Sequence, residues 1–398
     1  MDNFELWYRY HKDKGDMPAS VGAYFKYEYG VKKQAGITAG YDPATWAGIR
    51  SIVRAGKAAD YFIPHESQLA VERSGAGLVF DVLGIDHDTP SSTRYTHSMT
   101  LQLHDQFPTA MQFDAPEAFY YCETALTAGT YYFTIDSTYD TANNDLSAYQ
   151  FTLTQSVPAG GQLTFSWTSG KASAGKVISF ASATSTTAIE QVSVTEGTDG
   201  QNLGNLTIAG DFSNNLNSIH RVRYGSNNYK ESAIRQWLNS DKPAGSVWTP
   251  QTKFDRPPSW AATADGFMYG MDADFLAVIG KTHIVVSRNT VCDGGGFDEM
   301  DDYFFLLSRR EVYMGNEVSG VIEGEPYPYY SDYSDLSAPG MGNDSNRIKY
   351  RGGTAQHWWI RTSYSGSGGI VRYVSATGSL YNYTANSSHG VAPACNII

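Results

Sequence analysis

Three groups of side chains in this sequence could do chemistry, and each has an ordinary alternative. Asp86-His87-Asp88 lines up three metal-ligating residue types. On an extended segment consecutive side chains point to alternate sides, so the three do not converge on one ion, and a solvated turn is expected. Gly294-Gly295-Gly296 leads into Asp298-Glu299-Met300-Asp301-Asp302, the densest acidic cluster. Calcium takes several oxygen ligands from flexible loops, so a site over 298–302 is chemically allowed. The spacing departs from an EF-hand, however, and an acidic surface loop without metal is the expectation. Cys122, Cys292 and Cys395 are odd in number and far apart, which argues against a disulfide framework or a structural zinc. Nothing in the sequence sets a histidine beside Cys292 or Cys395, so buried inert thiols are expected rather than a thiol–imidazole pair. No G-x-S-x-G, phosphate-binding P-loop, H-E-x-x-H or C-x-x-C occurs. The expectation is a non-enzyme without catalytic residues, metal or cofactor.

A different kind of chemistry is concentrated in 358–398. This stretch has no Asp, Glu or Lys, and 19 of its 41 residues are Ser, Tyr, Gly or Asn. Those four types dominate antibody paratopes, where Tyr gives rigid amphipathic contact and the small polar residues give adaptable hydrogen bonds. Trp358-Trp359-Ile360-Arg361 and Gly390-Val391-Ala392-Pro393-Ala394 read as packed strands framing a polar middle, and Ile370–Val374 alternates as a strand. A hydrophobic frame around a Tyr-rich polar centre suits a binding surface on a rigid scaffold. A low-complexity surface loop is the alternative. The acceptor patterns at Asn382-Tyr383-Thr384 and Asn386-Ser387-Ser388 read as chance matches to a glycosylation signal.

Positioning such a surface requires a framework, and the sequence outlines one. Asp42 as cap, Pro43 at a first helical position, Trp46, Ile49 and Val53 at helical spacing and Gly56 as a stop predict a helix. Leu78–Ile85 and Met99–His104 read as strands separated by the turn-rich 86–90. From 116 to 210 the chain turns Thr-, Ser-, Ala- and Gly-rich, with alternating runs at 131–136, 149–154, 162–168, 176–181 and 191–195. Short alternating strands with Gly-rich turns predict an inserted antiparallel β-sandwich. Beyond 211, Glu231–Ser240 and Asp272–Ile279 read as helices, the second stopped by Gly280, and Thr282–Ser287 and Tyr303–Ser308 read as strands. Mixed short helices and scattered strands indicate an α+β class.

Composition narrows the function further. The formal charge of −12 argues against a nucleic-acid partner, because phosphate neutralisation needs clustered Lys and Arg. No apolar run reaches the ~18–20 residues of a membrane span, so no membrane insertion is expected. The aromatic, charged residues 1–15 do not read as a secretory leader. The 28 tyrosines fit a binding surface, although β-rich proteins also use Tyr in strands.

The ordered set RQWLNS (235–240), WTP (248–250), GFMYG (266–270), YFFLLS (303–308), NRIKY (346–350), WWIRT (358–362) and GVAPA (390–394) resembles a bacterial and phage family of C-type-lectin fold. Its members are variable proteins of diversity-generating retroelements, related in fold to the phage major tropism determinant and to formylglycine-generating enzymes. The resemblance covers about 211–398 and, more weakly, 45–114 through SIVRAG, FDVLGID and HSMTLQLHD. It implies an attachment or lead-in segment at 1–41, the first part of a lectin-type domain at 42–115, the β-sandwich insertion at 116–210, and a C-type lectin-like domain at 211–398 whose variable end is about 358–394.

In that family a mutagenic reverse transcriptase rewrites adenine-rich codons at the end of the gene while framing residues stay fixed. Carried onto this sequence, the variable ligand-binding positions are Tyr364, Ser367, Ile370, Tyr373, Ser375, Tyr381, Asn382, Tyr383, Asn386 and His389. The scaffold is Trp358, Trp359, Arg361, Gly390, Val391 and Pro393. The implied partners are a host-cell surface receptor, protein or glycan, and other virion or tail-fibre proteins. A homo-oligomer of three copies is implied, on a phage tail or alternatively on a bacterial cell surface. The sugar-binding triplets of calcium-dependent lectins are absent and Glu325-Pro326-Tyr327 is a partial echo, so the fold name does not imply carbohydrate. Two alternatives stand beside this reading: a structural virion or cell-surface protein without diversification, and a relative of formylglycine-generating enzymes using Cys292 and Cys395.

Overall fold

The computed structural model describes residues 41–116, 121–122, 128–134, 149–153, 155–156, 191–196, 201–207, 224–251, 255–290, 293–330 and 344–398. Residues 1–40 of the 1–41 lead-in segment, the strands expected over 162–168 and 176–181, and Cys292 lie outside the described residues.

In chain order the first part contains α1 (Trp46–Arg54), α2 (Ala58–Tyr61), β1 (Gln68–Arg73), β2 (Ala76–Ile85), β3 (Met99–Leu103) and β4 (Met111–Gln112). Then come β5 (Tyr121–Cys122), β6 (Gly129–Thr134), β7 (Tyr149–Leu153), β8 (Gln191–Glu196) and β9 (Gln201–Thr207). After these lie α3 (Ala233–Leu238), α4 (Ala273–Leu276), β10 (Ile279–Gly280), β11 (Thr282–Ser287), β12 (Phe297–Asp302) and β13 (Phe304–Phe305). The last part is β14 (Lys349–Arg351), β15 (Thr354–Gln356), β16 (Trp358–Ser363), β17 (Ile370–Val374), β18 (Leu380–Thr384), β19 (Ser388–His389) and β20 (Ala394–Ile397). Short helices with many antiparallel strands make this a mixed, mostly β chain of α+β character.

The central sheet runs β1-β2-β3-β20-β10, with β13 also pairing β20. Strands from 68–103 and from 279–397 therefore share one sheet. β20 sits inside it because Cys395 and Ile397 are fully buried, and Asn396 is satisfied by Thr100 at 2.7 Å and Thr282 at 2.8 Å. A chain of rings fastens the helices to the sheet: Trp46 to Phe275 at 4.8 Å, Phe275 to Phe80 at 5.9 Å, and Trp237 to Phe267 to Phe304 at 5.2 and 4.9 Å. Such ring pairs add ~0.5–1.5 kcal/mol each beyond their buried area. β5–β9 form a separate five-stranded antiparallel sheet, β5-β9-β8-β6-β7. Among the described residues of 116–210 this is a single sheet.

Local expectations fare unevenly. The first helix buries Trp46, Ile49 and Val53, and the chain turns left-handed at Gly56 (φ +65°). Its cap, however, is Thr45, whose hydroxyl accepts from Gly48 N–H at 3.1 Å; Asp42 and Pro43 form the preceding turn. α3 buries Ile234, Trp237 and Leu238 and is capped by Ser232. The helix expected over 272–279 is a single turn, Ala273–Leu276, and Gly280 is no helix stop. It lies in β10, where a Cβ would fall 1.7 Å from Ile398 Cδ1. Of Tyr303–Ser308 only Phe304 and Phe305 pair, while Leu306 and Leu307 are buried without joining a strand.

The acidic run 298–302 is no loop. It forms β12, paired with β11, so its side chains alternate between faces: Glu299 and Asp301 are exposed, whereas Asp302 is buried and bridges Arg235 at 2.7 Å on the same face as Asp298, which meets Lys230 at 3.3 Å. Among the described residues no three His, Cys, Asp or Glu are grouped to hold a metal ion. Nor is 86–88 a solvated turn throughout. Asp88 Oδ2 accepts from Tyr327 (2.6 Å) and Asn396 (2.9 Å), tying the turn to β20, and against the effect of burial His87 and these two bonds hold its carboxyl below the usual range. Among the described residues no helix is long and apolar enough to cross a membrane.

Candidate functional site

The twin tryptophans open β16 and are both fully buried. Trp358 donates its indole N–H to Arg347 O and Trp359 to Met111 O, each at 2.9 Å, so burying them leaves no orphan donor. The segment after His389 closes the frame. Gly390 bridges Trp358 in parallel, Val391 O accepts from Phe107 N–H, and Pro393 O accepts from Leu103 N–H. Gly390, Val391 and Pro393 are buried as the framing expectation requires, but they are not a strand; regular pairing begins only at Ala394. Gly390 is a close approach, since a Cβ there would stand 1.7 Å from Gln106 Oε1.

Beneath this frame lies a buried charge cluster. Arg361 is fully buried and forms a bidentate pair with Glu311 at 2.6 and 2.7 Å, with further bonds to the carbonyls of Leu306, Glu323 and Val285. Glu323 accepts from Ser287 N–H and Thr362 Oγ–H, both at 2.9 Å. Burial pushes both carboxyls up, against the pull of the Arg361 guanidinium. Glu311 overcomes the desolvation of Arg361 and holds it firmly protonated.

On this base β16, β17 and β18 form a three-stranded antiparallel sheet. The register sets Trp359 opposite Tyr373, Tyr373 opposite Tyr381, and Val371 opposite Tyr383. Alternation places these side chains on one face. Tyr381 stacks on Tyr373 (6.0 Å between centroids, 23° between planes), and Tyr383 meets Tyr373 edge-on at 6.4 Å. His389 fills the next space, 4.4 Å from Trp359, 4.9 Å from Tyr373 and 5.3 Å from Tyr383, with His357 behind it at 5.5 Å. The platform ends in two open rings: Tyr381 is 55% exposed and Tyr383 51%. Burial, then nearby His357 and Arg351, lower the His389 imidazole to about 4, so it is neutral near physiological pH, and its Nε2 is buried without a hydrogen-bond partner.

The ten expected contact positions separate by burial. Tyr381, Asn382 and Tyr383 are exposed; Tyr364, Ile370, Asn386 and His389 are half-buried; Ser367, Tyr373 and Ser375 are buried. Tyr373 is the floor of the platform. Ser375 Oγ accepts from the amides of Thr377 and Ser379 and so shapes the β17–β18 turn, whereas Ser367 O accepts from Asn227 Nδ2 at 2.6 Å. Tyr364 lies apart from the aromatic cluster, under Arg372 at 4.5 Å, and Arg372 is neutralised by Glu317.

Several positioning residues carry no sequence signal. Buried Asn227 donates to the carbonyls of Tyr364, Ser367 and Ile370 and so fixes the whole 364–370 turn. Glu317 joins Arg309, Arg372 and Ser365, and Gln112 Nε2 donates to Asn386 O at 2.7 Å. In the sequence these are ordinary polar residues in loops. Cys395 is buried in β20 and its thiol is pushed well up by desolvation, so it is unreactive.

Compared with known proteins, residues 203–398 match a family described as Domain of unknown function (DUF6273). The match begins within β9 and takes in every element of the platform. No curated protein and no solved structure matches the chain.

Proposed function

We propose that this chain is a non-enzymatic receptor- or ligand-binding protein whose C-terminal sheet presents a Tyr-centred surface to an outside molecule. One observation carries the reading: two tyrosines, each more than half exposed, stand on a buried aromatic floor and a hydrogen-bonded clasp. Rings held by packing lose little freedom when a partner covers them, and aromatic anchors of this kind contribute ~2 kcal/mol or more when central to an interface. The resemblance to diversity-generating retroelement proteins extends the proposal to a C-type lectin-like fold with a rewritable end, on a phage tail or a bacterial surface. The burial pattern suits that extension, because Tyr381, Asn382 and Tyr383 are exposed and Asn386 is half-buried, whereas Trp358, Trp359, Arg361, Gly390, Val391 and Pro393 are all buried.

The test is to sequence the end of the gene in sister isolates. Substitutions are expected at the exposed and half-exposed positions, with the six scaffold residues fixed and a reverse transcriptase and near-repeat in the flanking DNA. Identical sisters across Ser363–His389 with no repeat nearby would overturn diversification. Labelled protein binding to host cells then tests recognition itself: Tyr381→Ala with Tyr383→Ala abolishes it if the platform is the contact surface.

A further inference from the structure

The platform has an open side as well as an open face. β18 pairs with β17 alone, and its other edge carries no strand among the described residues. The direction of its free groups follows from its ends. Ser375 N–H donates to Ser379 O and Ala385 N–H to Gly369 O, so in this register the hydrogen-bonded pairs are 375–379, 373–381, 371–383 and 369–385. Leu380, Asn382 and Thr384 therefore turn their N–H and C=O groups outward; Thr384 O already accepts from Ser387 N–H. Natural edge strands are guarded by charge, proline or a bulge. β12 is guarded in this way by the exposed Glu299 and Asp301. β18, with the sequence LYNYT, has no charged residue, no proline and a regular register.

We infer that the β18 edge pairs with the β18 edge of a second copy of this chain, in an antiparallel two-fold contact centred on Asn382. The strand is self-complementary about that residue. Asn382 exchanges two hydrogen bonds with the partner's Asn382, and Leu380 pairs with the partner's Thr384 at each end. Tyr381 then stands opposite the partner's Tyr383, and Tyr383 opposite the partner's Tyr381, where cross-strand rings stabilise pairing.

Charge favours this partner. Copies carrying −12 repel over most of their surface, yet β18 is neutral, and Arg372, the charged residue across from Asn382 on β17, is satisfied by Glu317. The result is one continuous six-stranded surface with four open tyrosines on a face. The inference concerns assembly and stands whether or not the platform binds a foreign ligand, and it gives two copies where the family resemblance implies three.

Sedimentation equilibrium of the full chain over a concentration series tests it. The mass is expected to rise from 43.7 kDa toward twice that value with concentration. Asn382→Pro removes an outward N–H that the single copy leaves outside its own sheet, and Asn382→Lys sets like charges face to face at the two-fold axis. Each is expected to weaken association about tenfold or more, while Asn382→Ala leaves it unchanged. Melting curves report whether the variants fold; should Asn382→Pro fail to fold, Asn382→Lys carries the test. A wild-type chain that stays at one copy, association indifferent to Asn382→Lys, or a mass that settles at three copies would overturn the inference. Failure here leaves binding by Tyr381 and Tyr383 untouched, so the two readings fall separately.

Discussion

Replacing Arg361 by Met tests whether the clasp beneath the platform is held by charge. The substitution keeps an unbranched apolar stem but removes five hydrogen bonds, two to the Glu311 carboxylate and three to main-chain carbonyls. Glu311 and Glu323 then remain buried without their cation. Breaking a buried pair in this way costs ~3–5 kcal/mol. Against a typical domain stability of ~5–15 kcal/mol, the variant is expected to lose about a fifth or more of its stability to urea. Glu311→Leu strands the opposite charge and should cost a similar amount. The double variant Arg361→Met with Glu311→Leu removes both charges and is expected to recover at least ~1 kcal/mol relative to the sum of the singles. Urea unfolding followed by circular dichroism supplies all three values, with unchanged denaturant slopes confirming that stability alone moved. A loss below ~1 kcal/mol for Arg361→Met, or strict additivity in the double, would refute the argument.

Three further outcomes follow from the same structure. His389 resists protonation in the fold down to about 4, so its contribution is complete above the unfolded-state value near 6.5 and is lost as pH falls toward 4, by up to about 3 kcal/mol; the advantage of wild type over His389→Gln in thermal melts should shrink across that window. Gly390→Ala drives a methyl group to 1.7 Å from Gln106 Oε1 and should lower stability by ~1–3 kcal/mol in urea titration, whereas an unchanged midpoint would show that Gln106 moves freely. Tyr381→Ala and Tyr383→Ala should each cost no more than ~1.5 kcal/mol, the worth of their ring contacts with Tyr373, because more than half of each residue is open to solvent. A large fall in melting temperature would make them core residues instead.

What the sequence disclosed follows from how far its physics reaches. Helical spacing in ESAIRQWLNS and the apolar pattern around Trp46 are local, and both helices form. The tail could be read as frame and centre because exposure and composition go together: the Tyr and Asn residues of β18 are open while the tryptophans are sealed. Reading failed where a distant contact decided the matter. Gly280 looks like a helix stop until Ile398 occupies the space beside it. The acidic run 298–302 looks like a loop until β11 pairs with it, and Asp88 looks solvated until Tyr327, 239 positions away, donates to it. Ser367 and Ser375 have the composition of contact residues but are committed to turn geometry, a distinction that residue type does not carry.

The place of β20 in the central sheet has a consequence for damaged chains. Thr100 finds its partner Asn396 across 296 positions, and Gln102 bonds Ala392 across 290. Until those late residues exist, β3 on one flank and β10 with β13 on the other present bare edges, and such long-range closure is slow. A frameshift or premature stop anywhere from 358 to 393 deletes the middle of the sheet rather than a dispensable tail. The truncated product is left with sticky margins and is cleared by aggregation or proteolysis. Frame-shifting changes in that stretch are thus screened by folding itself.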